Sequence, residues 1–185
     1  MRFVGTRRIE TNRLILRRFA VEDAQAMFDN WASDPEVTKY LTWPPHERAA
    51  ATEQLLKLWV DDYAREDVFQ WAITLKENGD APIGSIAVVN RDERTDSVEL
   101  GYCIGRAWWR RGIMTEALGA VVDFMFDEAG ARRVACRHDA NNPHSGAVMK
   151  KCGLRYEGTL RGAGWNNQGV CDLCCYGLLA SDRDS

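Results

Sequence analysis

Hydrophobic positions along the chain recur with two different periods, and the switch between them lays out the elements. Arg13–Arg18 alternates around Leu14 and Leu16 and reads as a first strand. Ala24, Met27, Phe28 and Trp31 then fall at helical spacing, which predicts a helix over Val21–Ser33. A second helical stretch, Glu47–Tyr63, carries Ala51, Leu55, Leu58 and Trp59 on one side. From Phe69 the period drops to two: Phe69, Trp71, Ile73 and Leu75 alternate, and Pro82–Asn90 and Val98–Ile104 follow as further strands. Ala117, Leu118, Val121, Val122, Phe124 and Met125 restore the helical period over Thr115–Glu128. Val134–His138 reads as a strand, Asn142–Cys152 as a helix, and Leu154–Leu160 and Val170–Leu179 as two closing strands.

Turn and cap residues fit between these stretches. Asp34 is placed to cap a short helix that starts at Pro35, because proline's missing N–H costs nothing there. Trp43-Pro44-Pro45-His46 must be a loop, and Asn78-Gly79-Asp80 is the strongest hairpin signal. Arg91–Thr95 is a polar turn, Gly130 and Gly153 close the two later helices, and Gly162–Gly169 joins the last strands. The predicted order is β-α-α-α-β-β-β-α-β-α-β-β. That is one α/β domain over residues 8–180, with a mixed, mostly antiparallel sheet of about seven strands flanked by helices. The fourth and fifth predicted strands and the helix between them would form a right-handed crossover.

Composition narrows the class without naming it. The chain has 185 residues, 45% hydrophobic and 28% charged, with a net charge of −3. This is an ordinary globular balance, and it argues against general nucleic-acid binding. No apolar run approaches the roughly 18 residues of a membrane span, and Arg7-Arg8 precedes no secretory apolar segment. Most of the six cysteines lie in apolar runs, as expected of reduced thiols in a cytoplasmic protein. Cys171 and Cys174 sit in a predicted strand that would turn them to opposite faces, and no second pair or histidine partner follows, so no metal is expected.

The stretch Trp108-Trp109-Arg110-Arg111-Gly112-Ile113-Met114-Thr115 joins the fourth strand to its helix. A helix start leaves N–H groups without intrahelical partners, and its dipole favours an anion there. Arg110 and Arg111 add two cations. Phosphate or pyrophosphate is the natural guest. The alternative is an ordinary turn with two solvated arginines. A nicotinamide-type dinucleotide site is excluded by the lack of GxGxxG near the first strand.

This turn resembles the Arg/Gln-x-x-Gly-x-Gly/Ala motif of the GNAT acetyltransferase superfamily, with Gly112 at its first glycine. Asn142-Pro143-His144-Ser145, and then Lys151-Cys152-Gly153-Leu154 with Glu157-Gly158, resemble the family's Asn-x-x-Ser and Lys-x-Gly-Phe…Glu-Gly segment. Glu10-Thr11-Asn12-Arg13-Leu14-Ile15-Leu16-Arg17 is similar to the opening of the RimJ/RimL branch, the ribosomal-protein alanine N-acetyltransferases, and Asp172 and Tyr176 also fit it. Two positions depart from the motif: Trp109 stands for its Gln/Arg and Met114 for its second small residue.

The resemblance implies acetyl-CoA as co-substrate, with no metal. The backbone of Arg110, Arg111, Gly112, Ile113, Met114 and Thr115 would hold its pyrophosphate. The pantothenate arm would pair with the strand edge near Cys103 and Ile104, in a cleft where two strands splay, and Asn142 would bond the arm. Attack of an amine on a thioester requires the amine to lose a proton and the thiolate to gain one, with no covalent enzyme intermediate. Glu99 stands off the apolar face of its strand and is the expected base, directly or through water, with partial burial raising its pKa. The tyrosine that many relatives use as acid falls at Met149, which points instead to Ser145; Tyr102 is a weaker candidate. Trp43 and His46 would border the acceptor pocket, with Trp165 as the opposite wall.

The expected reaction is acetyl transfer to a primary amine, most of all the α-amine of a protein N-terminus. A polyamine, aminoglycoside or amino acid acceptor remains open, as does a non-catalytic acyl-CoA sensor. The expected partner is the acceptor alone, with neither nucleic acid nor membrane, in a monomer or homodimer.

Overall fold

The computed structural model describes residues 1–183. Its eight strands form one sheet in the spatial order β1-β2-β3-β4-β5-β6-β8-β7. They are β1 (Ile9–Glu10), β2 (Leu14–Arg17), β3 (Gln70–Leu75), β4 (Pro82–Asp92), β5 (Ser97–Ile104), β6 (Arg133–Asp139), β7 (Arg155–Asn166) and β8 (Gly169–Leu179). Every neighbouring pair is antiparallel except β5 and β6. The expected α/β class and element order therefore stand, with one strand more than about seven. β1 is two residues long, too short to show alternation in a sequence.

Helices cover both faces. The apolar sides of α4 (Ile113–Asp127) and α5 (Pro143–Lys151) bury Leu14, Trp71, Ile73, Ile86 and Leu100 on one face. On the other, α1 (Ala24–Met27), α2 (Pro35–Thr38) and α3 (Ala49–Asp62) enclose Phe19, Trp31, Leu56 and Ala72. Asp34 caps α2 by accepting from the Glu36 N–H at 2.9 Å, as the Asp-Pro signal requires.

The single helix expected over Val21–Ser33 is instead three short pieces: a 3-10 turn at Val21–Asp23, α1, and a π-helical turn at Phe28–Ala32. The π turn serves a contact. It brings the Asn30 carbonyl to the end of β5, where a Cβ on Gly105 would meet it at 2.4 Å and the Trp108 ring at 2.8 Å. Only glycine fits that crossing. Asn30 also donates to the Pro82 carbonyl at 2.7 Å, fixing the segment beside the strand–helix turn.

The last hairpin is longer than expected. β7 and β8 run to a two-residue turn at Asn167-Gln168, with Gly162 inside β7 rather than in a terminal turn. The register jumps between Leu160 and Gly164, and the Asp172 carboxylate accepts the Gly162 N–H there at 2.7 Å. This side-chain bond replaces a missing ladder bond where β7 carries two more residues than β8 opposite it.

Candidate active site

β5 and β6 are hydrogen-bond partners only from Ser97↔Arg133 to Leu100↔Cys136. Beyond those residues the two strands separate, while β5 stays paired to β4 as far as Ile104. A wedge therefore opens between Gly101–Ile104 and Arg137–Asp139, with the starts of α4 and α5 above it. The Gly105 N–H donates to the Ile83 carbonyl at 2.9 Å, so by alternation the backbone groups of Cys103 face β4 and those of Tyr102 and Ile104 face the wedge. The Trp109 indole donates to the Ile104 carbonyl at 2.8 Å. Trp109 thus closes the top of the free edge, and Tyr102 with the Ile104 N–H remains.

The turn into α4 is shaped for close approach. Gly112 caps the helix at φ 71°, ψ 4°, and Arg110 also adopts a positive φ of 60°. The first α4 N–H bonded within the helix is that of Glu116, to the Gly112 carbonyl at 3.1 Å. Those of Ile113, Met114 and Thr115 precede it and have no carbonyl behind them. A Cβ on Gly112 would meet only Arg13 Nη2, at 3.6 Å, so the ground before the turn is open. Arg110 and Arg111 are exposed. Met114 is buried in the core below α4, so its bulk is directed away from the turn and its N–H keeps its place.

Arg13 belongs to this site and was not singled out from the sequence. Its guanidinium donates to Glu116 at 2.6 Å and to the Arg111 carbonyl at 3.0 Å. Burial works against ionisation of Glu116, but hydrogen bonds from Thr11, the Arg13 N–H and the Arg13 guanidinium hold its carboxyl below the usual range. The β1–β2 loop is thereby tied to the first turn of α4. No local spacing signals this tie, because its partner Glu116 lies 103 residues away.

Val98 and Leu100 are buried in the core with α4, so strand alternation puts Glu99 on the opposite face, and its side chain is 19% exposed. Arg137 Nη2 approaches its Oε2 at 3.3 Å. On the α4–α5 side of the wedge, the Tyr102 hydroxyl lies 3.0 Å from both the Ser145 hydroxyl and the Ser145 carbonyl. Burial pushes the Tyr102 phenol well above the usual tyrosine value. Asn142 precedes α5, and its side chain makes no capping bond to the helix. Met149, in the position of the missing tyrosine, is buried. Burial also pushes up the thiols of Cys103, Cys136, Cys152, Cys171 and Cys175. None of those five is an activated nucleophile.

The Trp43 and His46 rings meet at 5.4 Å, and His46 Nδ1 lies 2.6 Å from Thr52 Oγ1. The structure does not bring Trp165 to them. Trp165 is 58% exposed and stands opposite Val170 across the hairpin, on the other face of β7 from its neighbour Asn166. The buried Asn166 takes the inward position, donating to Asp139 at 2.6 Å, and strand alternation sends Trp165 outward. Asn167 reaches the Trp43 loop instead. Its amide donates to the Thr38 carbonyl at 2.8 Å and the Trp43 carbonyl at 2.7 Å, and its N–H to the Leu41 carbonyl at 3.1 Å. Two surface cavities, of about 390 and 370 Å³, lie elsewhere, and neither is lined by Glu99 or Ser145. The larger lies between the later turns of α4 and the end of α5, and the smaller between the π turn and Trp108.

A parallel pair that parts beneath a glycine-capped helix start, with helices on both sheet faces, defines an acetyltransferase class of fold. The chain belongs to the GNAT family of N-acetyltransferases: the family described as "Acetyltransferase (GNAT) domain" matches residues 13–155. An uncharacterized N-acetyltransferase of Bacillus licheniformis, p20, is 29% identical over 151 residues, covering 82% of this chain and 84% of its own. The ribosomal protein uS5-alanine N-acetyltransferase of Escherichia coli is 25% identical over 158 residues, covering 82% and 79%. The fold also matches a ribosomal-protein-S5-alanine acetyltransferase from Vibrio fischeri, with a TM-score of 0.83 at 18% identity over 95% of this chain and 98% of the other. A microcin C7 self-immunity acetyltransferase, solved in complex with acetyl-CoA and AMP, matches with a TM-score of 0.79 at 19% identity over 91% and 93%. These likenesses support the RimJ/RimL-like branch. Among the described residues no helix is long and apolar enough to cross a membrane.

Proposed function

We propose that this chain transfers the acetyl group of acetyl-CoA to a primary amine by direct attack, and that the amine is the α-amine of a protein N-terminus. One observation carries this reading. The free edge of β5 runs from the Glu99 carboxylate, beside the last pairs to β6, toward the glycine-capped start of α4, so one extended ligand along it would join the two. The uS5-alanine acetyltransferase relative supports the acceptor class.

The residues fit acetyl-CoA. The first-turn N–H groups of α4, the left-handed Gly112 and the two exposed arginines suit a pyrophosphate. A helix end contributes about 0.3–1 kcal/mol toward a charge at an exposed site, up to about 2 in sheltered geometry. Micromolar binding requires about 8 kcal/mol. The turn therefore orients the ligand, and pairing of the pantothenate arm with Tyr102 and Ile104, with Asn142 beside it, must supply much of the rest.

Glu99 takes the amine's proton, directly or through a water, as the nitrogen attacks the thioester carbonyl. Ser145 lies on the leaving-group side. Its hydroxyl, held by Tyr102, is too weak an acid to protonate a thiolate outright, because an ordinary thiol pKa is only about 8.5. Its work is to donate a hydrogen bond to the departing sulfur, or to pass on a proton already released by the amine.

The test is thioester consumption against a panel of ribosomal-protein N-terminal peptides, polyamines and aminoglycosides. The reading predicts turnover with peptides bearing a free α-amine. Tight CoA binding without turnover on any amine would replace it with a CoA sensor.

A further inference from the structure

Arg137 is held less tightly than its neighbour on the same strand face. Arg133, four residues earlier on β6, grips Glu157 with both prongs of its guanidinium, at 2.6 and 2.5 Å. Arg137 reaches Glu99 through one nitrogen at 3.3 Å, outside the 2.7–2.9 Å range of a strong charge-assisted hydrogen bond. Its side chain is 42% exposed. Asp139 is next along the same face, but its oxygens are engaged by the Asn141 N–H at 2.7 Å and by the Asn166 amide at 2.6 Å. Arg137 is also the first β6 residue past the last β5–β6 pair, Leu100↔Cys136. A guanidinium with spare donors therefore stands beside the carboxylate that meets the amine, where the strands part.

We propose that Arg137 is a specificity residue, donating hydrogen bonds to a carbonyl or carboxylate oxygen one carbon from the acceptor's amine. The favoured acceptors are then α-amino carbonyl compounds, namely peptide N-termini and amino acids, over polycationic amines. This rests on the reading of Glu99 as the group that receives the amine. An α-amino carbonyl unit presents a cationic nitrogen and an oxygen acceptor close together, and Glu99 and Arg137 present the complementary pair. A polyamine offers a second ammonium instead, which meets a like charge at Arg137, and has no oxygen beside the reacting nitrogen; an aminoglycoside also brings further ammonium groups and offers only neutral hydroxyl and ether oxygens, not a carbonyl or carboxylate, to the guanidinium fork.

The experiment compares wild type, Arg137→Ala and Arg137→Lys in steady-state assays of thioester consumption. The acceptors are a short peptide with only its α-amine free, spermidine and an aminoglycoside, and CoA binding is measured by calorimetry. In Arg137→Ala the KM for the peptide should rise about tenfold, the loss of one charged hydrogen bond. Spermidine turnover should hold or improve, and CoA affinity should not change. Arg137→Lys keeps the charge without the fork and should fall between. An equal loss with all three acceptors, no loss with the peptide, or a wild type that prefers spermidine would overturn the assignment. In each of those outcomes thioester consumption continues, and the transferase reading survives. Consumption with none of the amines, while CoA still binds, would overturn both.

Discussion

The Tyr102 and Ser145 hydroxyls meet at 3.0 Å, joining β5 to α5 across the wedge. Two groups that looked like competing acids in the sequence are one unit. When the Tyr102 hydroxyl donates to the Ser145 hydroxyl oxygen, the single serine proton is left free to be aimed at the leaving sulfur. Ser145→Ala should lower kcat about tenfold, the value of one hydrogen bond to the leaving sulfur, and leave CoA affinity unchanged. Tyr102→Phe should cost less, and the double variant no more than Ser145→Ala alone. Additive losses in that cycle would separate the two residues.

Gly112 tests the turn. Its φ of 71° is a left-handed conformation that asparagine and aspartate tolerate better than other side chains. Gly112→Asn adds bulk without charge, and Gly112→Asp adds both. A carboxylate about 5 Å from a pyrophosphate costs about 1–3 kcal/mol in a half-solvated setting. Calorimetry should therefore show Gly112→Asp binding CoA about tenfold more weakly than Gly112→Asn, with both close to wild type in melting temperature. Equal affinities would place the phosphates elsewhere.

Much of this site was legible in the sequence because its parts are local. The β5-turn-α4 unit and the start of α5 came out within a residue or two, since the alternation in Val98–Ile104 and the helical spacing of Ala117–Met125 leave little choice. What was missed depends on distant partners. Arg13 becomes part of the turn only through Glu116, and Asn167 becomes a wall only through the Thr38 and Trp43 carbonyls. The placing of Trp165 depended on where the hairpin turned. With the turn at Asn167-Gln168 instead of over Gly162–Gly169, strand alternation runs through Trp165 and sends it outward. The π turn likewise answers to Gly105, 75 residues along the chain from Asn30, and no helical period encodes it.

Asn167 ties the hairpin tip to the Trp43 loop. Asn167→Ala removes two side-chain donors and leaves the N–H bond to Leu41. The loss should be about 1–3 kcal/mol of local order. The account expects a raised KM for the acceptor and a melting temperature lower by a few degrees, with CoA binding untouched. A change in CoA affinity instead would show that the wall does not belong to the acceptor side.

His46 gives the fold a pH dependence. Burial lowers its pKa below the ordinary histidine value of 6.5, so the folded state prefers the neutral ring. The unfolded chain then binds more protons between the folded pKa and 6.5, and stability must fall as pH drops through that window. Below the folded pKa the His46 contribution becomes flat. Denaturant titrations from pH 7.5 to 5 should show this decline in wild type and a smaller one in His46→Gln. The same slope in both proteins would assign it to other groups.

Glu99→Gln is the sharpest probe of Glu99 as the group that takes the amine's proton, because the amide keeps the shape and loses the base. The measurement is kcat/KM for acetyl transfer to the preferred amine, with CoA affinity determined on the same preparation. kcat/KM should fall about 10²–10⁴-fold with CoA affinity unchanged. Turnover equal to wild type, at equal CoA affinity, would contradict it.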